Sequence, residues 1–472
     1  MTLKVLIACD TFAPDRNGTA TFSKNLAVQL QNRGYEVHVV APATSKLYGT
    51  FREQHDGIPL VIHRLKSYRI PFQPTQRFVS PIRLTTRLQG LFKAINPDVV
   101  HVQSHINIGH HAAISAKSQG LRLIATSHID AQTIVENTIL APQFVKNFLT
   151  RMLLTDAARV FRSADAISAP TKRAAQMLES VVKGVNVYPI SGGVEIDLYA
   201  DLPEPKQVDK RLLYVGRLDR EKHVYVLLEA FAKLPMDFTL EIVGSGSQDD
   251  ELLKLASDLG IDSRVKFLGN LTDEELISKL GEASAFVMPS TQELQSMATL
   301  EAMAAGRPII AANALALPHL VHDGENGYLF KPDSPSELAS AVERLFSLTS
   351  KDFSAMARGS KLLVQAHDLS GTVNVYERLY KGLEVLGTTL DNEPDYEAPL
   401  STTKRFTEFV RRSSKSLERG TSGVIERLDD VRGSVVETFG DVRFSIERRG
   451  RKARRRLSSS LRRVLERIRR DD

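Results

Sequence analysis

Short apolar runs alternate along the chain with longer stretches in which apolar residues recur every three or four positions. A short apolar run is typical of a buried strand, and the longer period is typical of a helix packed on a sheet. The alternation occurs on both sides of a polar segment, residues 201–210, which predicts a linker between two parallel α/β units. The predicted strands are residues 3–9, 36–41, 98–103, 121–127 and 164–170 in the first half and 211–215, 238–243, 264–268 and 285–289 in the second.

Two segments of the first half carry other signals. Residues 46–95 contain several prolines and a basic, aromatic run, residues 64–77, for which we expect an exposed loop or short amphipathic helices. Residues 142–163 have a helical pattern. Cys9 is the single cysteine, which excludes an intrachain disulfide, and its apolar neighbours predict that it is buried.

Charge divides the chain near residue 400. The overall net charge is +6, but residues 401–472 carry 21 Lys and Arg against 11 Asp and Glu, and the remainder is weakly acidic. The tail has apolar residues at loose helical spacing, and it follows an acidic linker, residues 389–400. We favour an anchor for an anionic membrane surface. A solvated or partly disordered tail is the alternative, and nucleic-acid binding is unlikely because no recognition motif accompanies the charge.

The strongest candidate for chemistry is the stretch 284–312, which predicts a strand, a polar loop and a helix beginning near Ser296. The loop carries Glu293 and the helix carries Glu301. A helix that opens after a strand presents backbone N–H groups to phosphate, and a carboxylate accepts hydrogen bonds from a ribose diol or a sugar. The alternative is a capped surface helix with solvated glutamates.

Several histidines follow strands of the first half, at the edge where a parallel sheet places its ligand. We select His128 for chemistry and His105 in support; a hydrogen-bonded structural role is the alternative. A zinc site is weakly indicated because no cysteine or HExxH spacing accompanies them. The loop at Gly18 and Thr19 opens a helix but lacks the GxGxxG pattern of nicotinamide enzymes.

As a set, five motifs resemble those of the family 4 glycosyltransferases of the GT-B fold, particularly bacterial enzymes that transfer mannose or glucose to lipids. The resemblance covers residues 3 to about 388. It departs from the usual pattern at Leu294-Gln295-Ser296 and at His223. The motifs are E-x7-E (Glu293, Glu301), G-R-x4-K (Gly216, Arg217, Lys222), I-V-G-x-G (Ile242–Gly246), F-L-G (Phe267–Gly269) and G-V-E (Gly193–Glu195).

The resemblance implies two Rossmann-like domains that face each other across a cleft. Residues 1–200 form the acceptor domain, 201–370 the nucleotide-sugar domain, and 371–388 a helix that crosses back, before the linker and the basic helical tail. It implies catalytic roles for His128, Glu293, Arg217 and Lys222. The donor-binding residues that it implies are Gly18, Thr19, Gly244, Gly269, Asn270, Leu271, Gln295, Ser296, Met297 and Glu301.

The hypothesis from sequence is a retaining hexosyltransferase that uses a nucleoside-diphosphate sugar, GDP-mannose or a UDP-sugar, and no cofactor. The chain contains no D-x-D pair, so we expect no metal. The expected acceptor is a membrane lipid such as phosphatidylinositol or a diacylglycerol glycolipid, with the protein in the cytoplasm on the inner face of the cell membrane. An epimerase or phosphorylase of the same fold, or a non-enzymatic nucleotide-sugar binding protein, remains the alternative.

Overall fold

The computed structural model describes residues 2–15, 17–70, 73–128, 154–385, 388 and 390. The first of its two large sheets has eight strands in the order β10-β9-β8-β7-β1-β2-β4-β3, and β3 alone runs antiparallel to its neighbour. β5 and β6 form a separate hairpin. The strands are β1 Lys4–Ala8, β2 Glu36–Pro42, β3 Gly49–His55, β4 Ile58–Leu65, β5 Ser67–Ile70, β6 Gln73–Val79, β7 Val99–Val102, β8 Arg122–Thr126, β9 Ala166–Ala169 and β10 Val187–Pro189.

The second sheet has six parallel strands in the order β13-β12-β11-β14-β15-β16. The α/β class and the two predicted parallel sheets are therefore confirmed. The basic tail and the linker before it, apart from Leu390, lie outside the described residues. The strands are β11 Arg211–Val215, β12 Thr239–Val243, β13 Val265–Gly269, β14 Ala285–Met288, β15 Ile309–Ala312 and β16 Gly327–Phe330.

Helices connect the strands, as parallel pairing requires. Residues 154–163 are helical, and the rest of the helix predicted at 142–163 lies outside the described residues. The helices are α1 Gly18–Asn32, α2 Leu84–Ile95, α3 Asn107–Ser118, α4 154–163, α5 Lys172–Val181, α6 Val224–Phe231, α7 Asp249–Asp258, α8 Asp273–Glu282, α9 Met297–Ala304, α10 Leu317–Leu320, α11 Pro335–Phe346, α12 Ser350–Leu363 and α13 Leu369–Tyr380.

The first sheet is buried on both faces, which explains why its central strand β1 is apolar after Lys4. Val5 and Ile7 of β1 pack with α1 and α13, whereas Leu6 and Ala8 pack with α2, α3 and α4. Cys9 continues the first face and is completely buried, as predicted. Alternate side chains of one strand thus enter two different helix layers.

A buried polar network attaches α13 to the first sheet. The ring of His101 on β7 hydrogen-bonds the Tyr380 hydroxyl at 2.7 Å and the Thr126 hydroxyl at 2.6 Å. Ser168 on β9 hydrogen-bonds Tyr376 at 3.0 Å. Burial lowers the pKa of His101 to about 3, so the imidazole is neutral. The network satisfies polar groups that would otherwise be buried without partners, and it holds the helix that follows the second sheet against the first.

The segment 46–95 differs from its prediction. The basic run 64–77 is neither a loop nor a set of helices: it contains the end of β4 and most of the hairpin β5-β6. Arg64, the first residue of that run, is buried and forms an ion pair with Glu53 of β3 at 2.6 Å. The prediction was wrong because prolines and charges indicated exposure, whereas the paired strand β3 neutralises the arginine.

Candidate active site

The candidate site lies where the first turns of α1 and α9 approach each other. A Cβ atom placed on Gly18 would lie 3.8 Å from the Met297 side chain. Side-chain caps begin both helices, since Asn17 accepts from the Ala20 N–H at 3.0 Å and Ser296 from the Thr299 N–H at 3.4 Å. Two helix N-termini, one from each half of the chain, therefore face the same space.

Several N–H groups at these two helix ends remain available to a ligand. In the described part of the chain no protein acceptor takes the backbone N–H of Gly18 or Thr19, nor those of residues 295–297. The first N–H groups of a helix lack partners within the helix, and they carry the positive end of its dipole. Facing helix ends of this kind are suited to binding an anion.

Three glycine-containing loops after β11, β12 and β13 form the adjacent wall. Gly244 has a φ of +123°, and any side chain there would clash with the Gly216 carbonyl. Its N–H donates to the Gly269 carbonyl at 2.8 Å. The Asn270 side chain then donates to Ser245 at 2.9 Å. Close backbone packing and this one side-chain bond hold the loops together, and Leu271 continues the third loop toward α8.

A lysine-glutamate ion pair joins two of the motifs. Lys222 Nζ lies 2.6 Å from the Glu293 carboxylate, and Glu293 is only 7% exposed. Lys222 ends a 3₁₀ turn, Arg220–Lys222, that projects it toward the loop before α9. The pair is partly buried, with 15% of the Lys222 side chain and 9% of the Glu293 side chain exposed, so water screens it less than a pair on the surface. The structure thus brings together two of the four residues predicted to be catalytic.

Arg217 is held differently. Its side chain is 44% exposed, and its guanidinium pairs with Asp219 and, at 2.6 Å, with Glu221 in the same loop. The Arg217 carbonyl accepts a hydrogen bond from the buried Tyr214 hydroxyl at 2.9 Å. A side chain of the sheet therefore fixes the backbone of Arg217, while its guanidinium lies at the surface among carboxylates.

Glu301 occupies a separate environment on α9. No residue of the described part forms a hydrogen bond or an ion pair with its carboxylate. Loss of solvent contact and then repulsion by Asp273 raise the pKa of Glu301 to about 7, and Lys24 opposes this shift. An unpartnered carboxylate in a partly enclosed space is able to accept two hydroxyl hydrogen bonds.

Lys24 is a residue that the sequence did not single out. It lies on α1, and its Nζ is 2.9 Å from Asp56 and 3.9 Å from Asp273 at the start of α8. It thus extends from the first half of the chain to the second, beside Glu301. Its position on the helix after the Gly18 loop was the only available signal, and that signal does not distinguish it from other charges on α1.

Two of the three residues at positions 294–296, where the chain departs from the family pattern, contact the first half. The Leu294 side chain packs on the first sheet's helix layer, and its carbonyl accepts from Thr171 at 3.1 Å. The Gln295 amide accepts from the Gly192 N–H at 2.7 Å and donates to Ser191 at 2.8 Å. Ser296 caps α9. We refer to residues 294–296 as the departing triplet.

Ser191 connects this triplet to the segment that returns from the second sheet to the first. Its hydroxyl is 2.9 Å from His367 Nδ1, and its carbonyl accepts from Thr372 at 3.1 Å. Gly193, with a φ of +72°, lies so close to Leu369 that a side chain would contact its Cα at 2.7 Å. The loop before α9, the segment after β10 and the start of α13 therefore all meet at Ser191.

His128 lies at the first-sheet side of the site. Its Nε2 is 2.9 Å from the Gln103 side-chain oxygen, and its ring packs on Phe22 of α1 with centroids 4.9 Å apart. Desolvation lowers the pKa of His128 to about 4, so the imidazole is neutral at physiological pH. Sequence reasoning did not select Gln103, although its position directly after β7, at the end of a strand, could have identified it.

His105, predicted to support His128, packs instead on Phe161 with ring centroids 5.7 Å apart. Burial lowers the pKa of His105 to about 4. In the described ranges, no group of three or more His, Cys, Asp or Glu side chains is arranged to hold a metal ion. Among the same residues, no helix is both long enough and apolar enough to cross a bilayer.

Two family profiles match the chain in succession. The profile described as Glycosyltransferase Family 4 matches residues 16–198, and the profile described as Glycosyl transferases group 1 matches residues 201–360. The boundary between the matches lies at the segment that connects the two sheets. Together they span the strands and loops that form the candidate site.

Similar proteins agree with these matches. The alpha-monoglucosyldiacylglycerol synthase of Streptococcus pneumoniae is 24% identical over 72% of this chain and 77% of its own length. The GDP-mannose-dependent alpha-mannosyltransferase of Mycolicibacterium smegmatis is 28% identical over 73% of this chain and 89% of its own. The solved sucrose-phosphate synthase of Thermosynechococcus elongatus superposes with a TM-score of 0.66 at 19% identity, covering 80% of this chain and 98% of that one. This chain therefore belongs to the family 4 glycosyltransferases and has the GT-B fold.

Proposed function

We propose that this glycosyltransferase moves a hexose from a nucleoside-diphosphate sugar to a membrane lipid, with retention of the anomeric configuration and without a metal or other cofactor. The observation that carries the proposal is the arrangement around α9. Glu301 offers a carboxylate without a partner, the helix end offers free N–H groups, and Lys222 holds Glu293 beside them.

The nucleoside is proposed to lie between Glu301 and the loop after β13. Glu301 accepts the ribose hydroxyls, because an ionised carboxylate takes two hydrogen bonds from a diol. Gly269, Asn270 and Leu271 border the base, and Gly244 allows the backbone to approach the nucleotide closely. The direct neighbours of this position in the structure, Lys24 and Asp273, supply charges of opposite sign.

The diphosphate is proposed to lie between the two helix N-termini. The N–H groups of Gly18 and Thr19 approach it from one half, and those of residues 295–297 from the other. Lys222 and Arg217 neutralise the charge that builds up on the leaving group as the glycosidic bond breaks. For this role the Arg217 guanidinium exchanges part of its pairing with Asp219 and Glu221 for phosphate oxygens.

The transferred sugar is proposed to lie between Glu293 and His128. Glu293 is fixed by Lys222 and accepts hydrogen bonds from sugar hydroxyls. His128, which is neutral, donates or accepts one hydrogen bond through its ring. Glu293 forms an ion pair with Lys222, so we propose that it positions the sugar and does not act as a nucleophile. The acceptor hydroxyl attacks the sugar from the face that the diphosphate leaves. The leaving diphosphate takes the proton of that hydroxyl.

The names of similar proteins support a lipid acceptor and GDP-mannose as the donor. One relative is named for a glucosyldiacylglycerol product, and another for its dependence on GDP-mannose. We propose GDP-mannose first and UDP-sugars second, with phosphatidylinositol or a diacylglycerol glycolipid as acceptor. The basic residues of the segment 401–472 favour a peripheral position on the cytoplasmic face of the cell membrane.

Thermal shifts with UDP-, GDP- and ADP-sugars test the donor. A ligand that binds the native protein alone raises the melting temperature with the logarithm of its concentration. Glu301→Gln should abolish the shift, while Glu274→Gln, an exposed neighbour on α8, should retain it. Transfer is then measured with lipid acceptors and their water-soluble headgroups, with and without EDTA, and the anomer is read by NMR. Transfer that survives Glu301→Ala combined with Arg217→Ala would contradict the site.

A further inference from the structure

One region of the first half carries basic residues without acidic ones. From residue 57 to residue 97 the chain contains no Asp or Glu, and the same is true of residues 43–52. The whole chain, by contrast, nearly balances 62 basic against 56 acidic residues. The basic residues of the longer stretch are Arg64, Lys66, Arg69, Arg77, Arg83, Arg87 and Lys93.

Exposed apolar side chains are concentrated in the same region. Leu47 is 71% exposed, Tyr48 58%, Phe78 40% and Ile82 54%. Large apolar residues exposed singly are ordinary, whereas a group with a basic rim indicates a contact surface. We define the hairpin patch as these four residues together with Tyr68, and its rim as the exposed Lys46, Lys66, Arg69 and Arg83.

The parts of the hairpin patch are joined through rings. Lys66 Nζ lies 5.9 Å from the ring centroids of both Tyr48 and Tyr68. Tyr68 in turn packs on Phe78 across the hairpin, with centroids 5.6 Å apart. The loop after β2 and the hairpin β5-β6 therefore form one continuous surface, in which a lysine lies between two aromatic side chains.

The hairpin patch lies at the edge of the first sheet that carries the active site. It follows the carboxyl ends of β2 and β4, and the loops at Gly18 and His128 follow those of β1 and β8. In a parallel sheet these ends share one edge. The Ala43 N–H donates to the Leu65 carbonyl at 2.8 Å, and Arg64 donates to the Ala13 carbonyl at 2.7 Å. These bonds fix the base of the patch next to the loop that opens α1.

We propose that the hairpin patch docks on an anionic lipid bilayer and so brings the cleft to its acceptor. The inference extends the proposed function, since it rests on a lipid acceptor. Aromatic residues favour the headgroup level, and Lys and Arg favour anionic lipids. Leu47 and Ile82 enter the acyl boundary. Phosphates of nucleic acid would match the basic rim but would leave these aliphatic side chains in water.

A fluorescent probe at the patch tests this in the full-length chain. The only native thiol, Cys9, is fully buried, and burial raises its pKa to about 12, so an introduced cysteine is labelled selectively. Leu47→Cys carries the probe, and Val208→Cys, 82% exposed in the other half, is the matched control. With vesicles of phosphatidylglycerol and phosphatidylcholine we expect about a twofold rise in emission at position 47 only.

A second variant measures what the patch contributes. Leu47→Ser, Tyr48→Ser and Phe78→Ser together should weaken partition onto the same vesicles about tenfold, while Val208→Ser with Met236→Ser should not. The thermal shift with UDP or GDP should be unchanged in both. The inference is overturned by any of three outcomes: partition that is unchanged in the triple variant, a probe at position 47 that does not respond to vesicles, or a probe that responds to duplex DNA and not to vesicles. Loss of the nucleotide shift in the unaltered chain would instead count against the proposed function.

Discussion

The two sheets contribute to the site in different ways. The loops after the second sheet pack on one another mainly through their backbones, with Gly244 in contact with both Gly216 and Gly269. The first half instead contributes individual side chains, such as His128 after β8 and Lys24 on α1, each with its own partner. The second sheet therefore forms a rigid receptor, and the first sheet adds contacts that depend on how the two halves meet. Substitutions should cost most within the second sheet and least at its contacts with the first.

Lys222→Ala should have the largest effect. It leaves Glu293 buried without its cation, which destabilises a protein by about 3–5 kcal/mol, and it removes a charge from the leaving-group site, which costs about 100-fold or more in kcat/KM. Urea midpoints and initial rates measure the two effects. Arg220→Ala, at an exposed position in the same turn, is the control.

A paired variant separates stability from catalysis in this result. Lys222→Met combined with Glu293→Gln removes both charges and should recover most of the stability, because no unpaired charge remains buried. Transfer should remain lost. A single Lys222→Ala variant as stable as the unaltered protein would show that the pair is not buried as described, and the contrast between the sheets would fail at its strongest point.

Glu301 should make donor affinity depend on pH. Its pKa is raised to about 7, and only the ionised form accepts hydroxyls, so affinity should rise with pH and fall about tenfold from pH 8 to pH 6. The intact nucleotide sugar carries no phosphate that titrates in this range. Asp273, Lys24 and Tyr199 are the charged or titratable groups around this carboxylate. Calorimetric titration of the donor at several pH values measures the effect.

The same shift has the opposite sign for stability. A carboxyl whose pKa is raised on folding destabilises the folded protein once it ionises, and this penalty grows as pH rises from the unfolded value toward about 7. Glu301→Gln should therefore bind donor weakly at every pH and melt a few degrees higher than the unaltered chain at pH 8, with a much smaller difference at pH 5. If the variant and the unaltered chain melted at the same temperature at pH 8 as well as at pH 5, the raised pKa would be contradicted.

Gln295→Ala should have an intermediate effect, because this residue joins the halves. It loses two hydrogen bonds, to Ser191 and Gly192, at about 1 kcal/mol each, and the donor KM should rise about tenfold with a smaller change in kcat. Gln295→Glu keeps the acceptor for the Gly192 N–H but loses the donor to Ser191, and it should recover part of the loss. If Gln295→Ala left the donor KM unchanged, donor binding would not depend on this contact between the halves.

The difference between the sheets also explains what the sequence could predict. Gly244 and Gly269 have positive φ angles, and a side chain at Gly244 would clash with the Gly216 carbonyl, so glycine is required at these positions and their motifs can be recognised in the sequence. Lys222 and Glu293 were both predicted to be catalytic, but their ion pair joins residues 71 positions apart and was not predicted. The role of Gln295 in contacting Ser191 required the fold, because nothing local marks either residue as the partner of the other.

The smallest effect should be found at Lys24, which extends furthest between the halves. It lies 3.9 Å from an Asp273 side chain that is 80% exposed, and exposed pairs of this kind contribute under about 1 kcal/mol and weaken with salt. Lys24→Ala should raise the donor KM about two- to threefold, less so at high ionic strength. A double-mutant cycle with Asp273→Asn isolates the pair, and Asp56→Asn controls for the partner within the first half. A coupling energy larger than that between Lys222 and Glu293 would reverse the order on which the contrast rests, and would place the main control of donor binding in the first half.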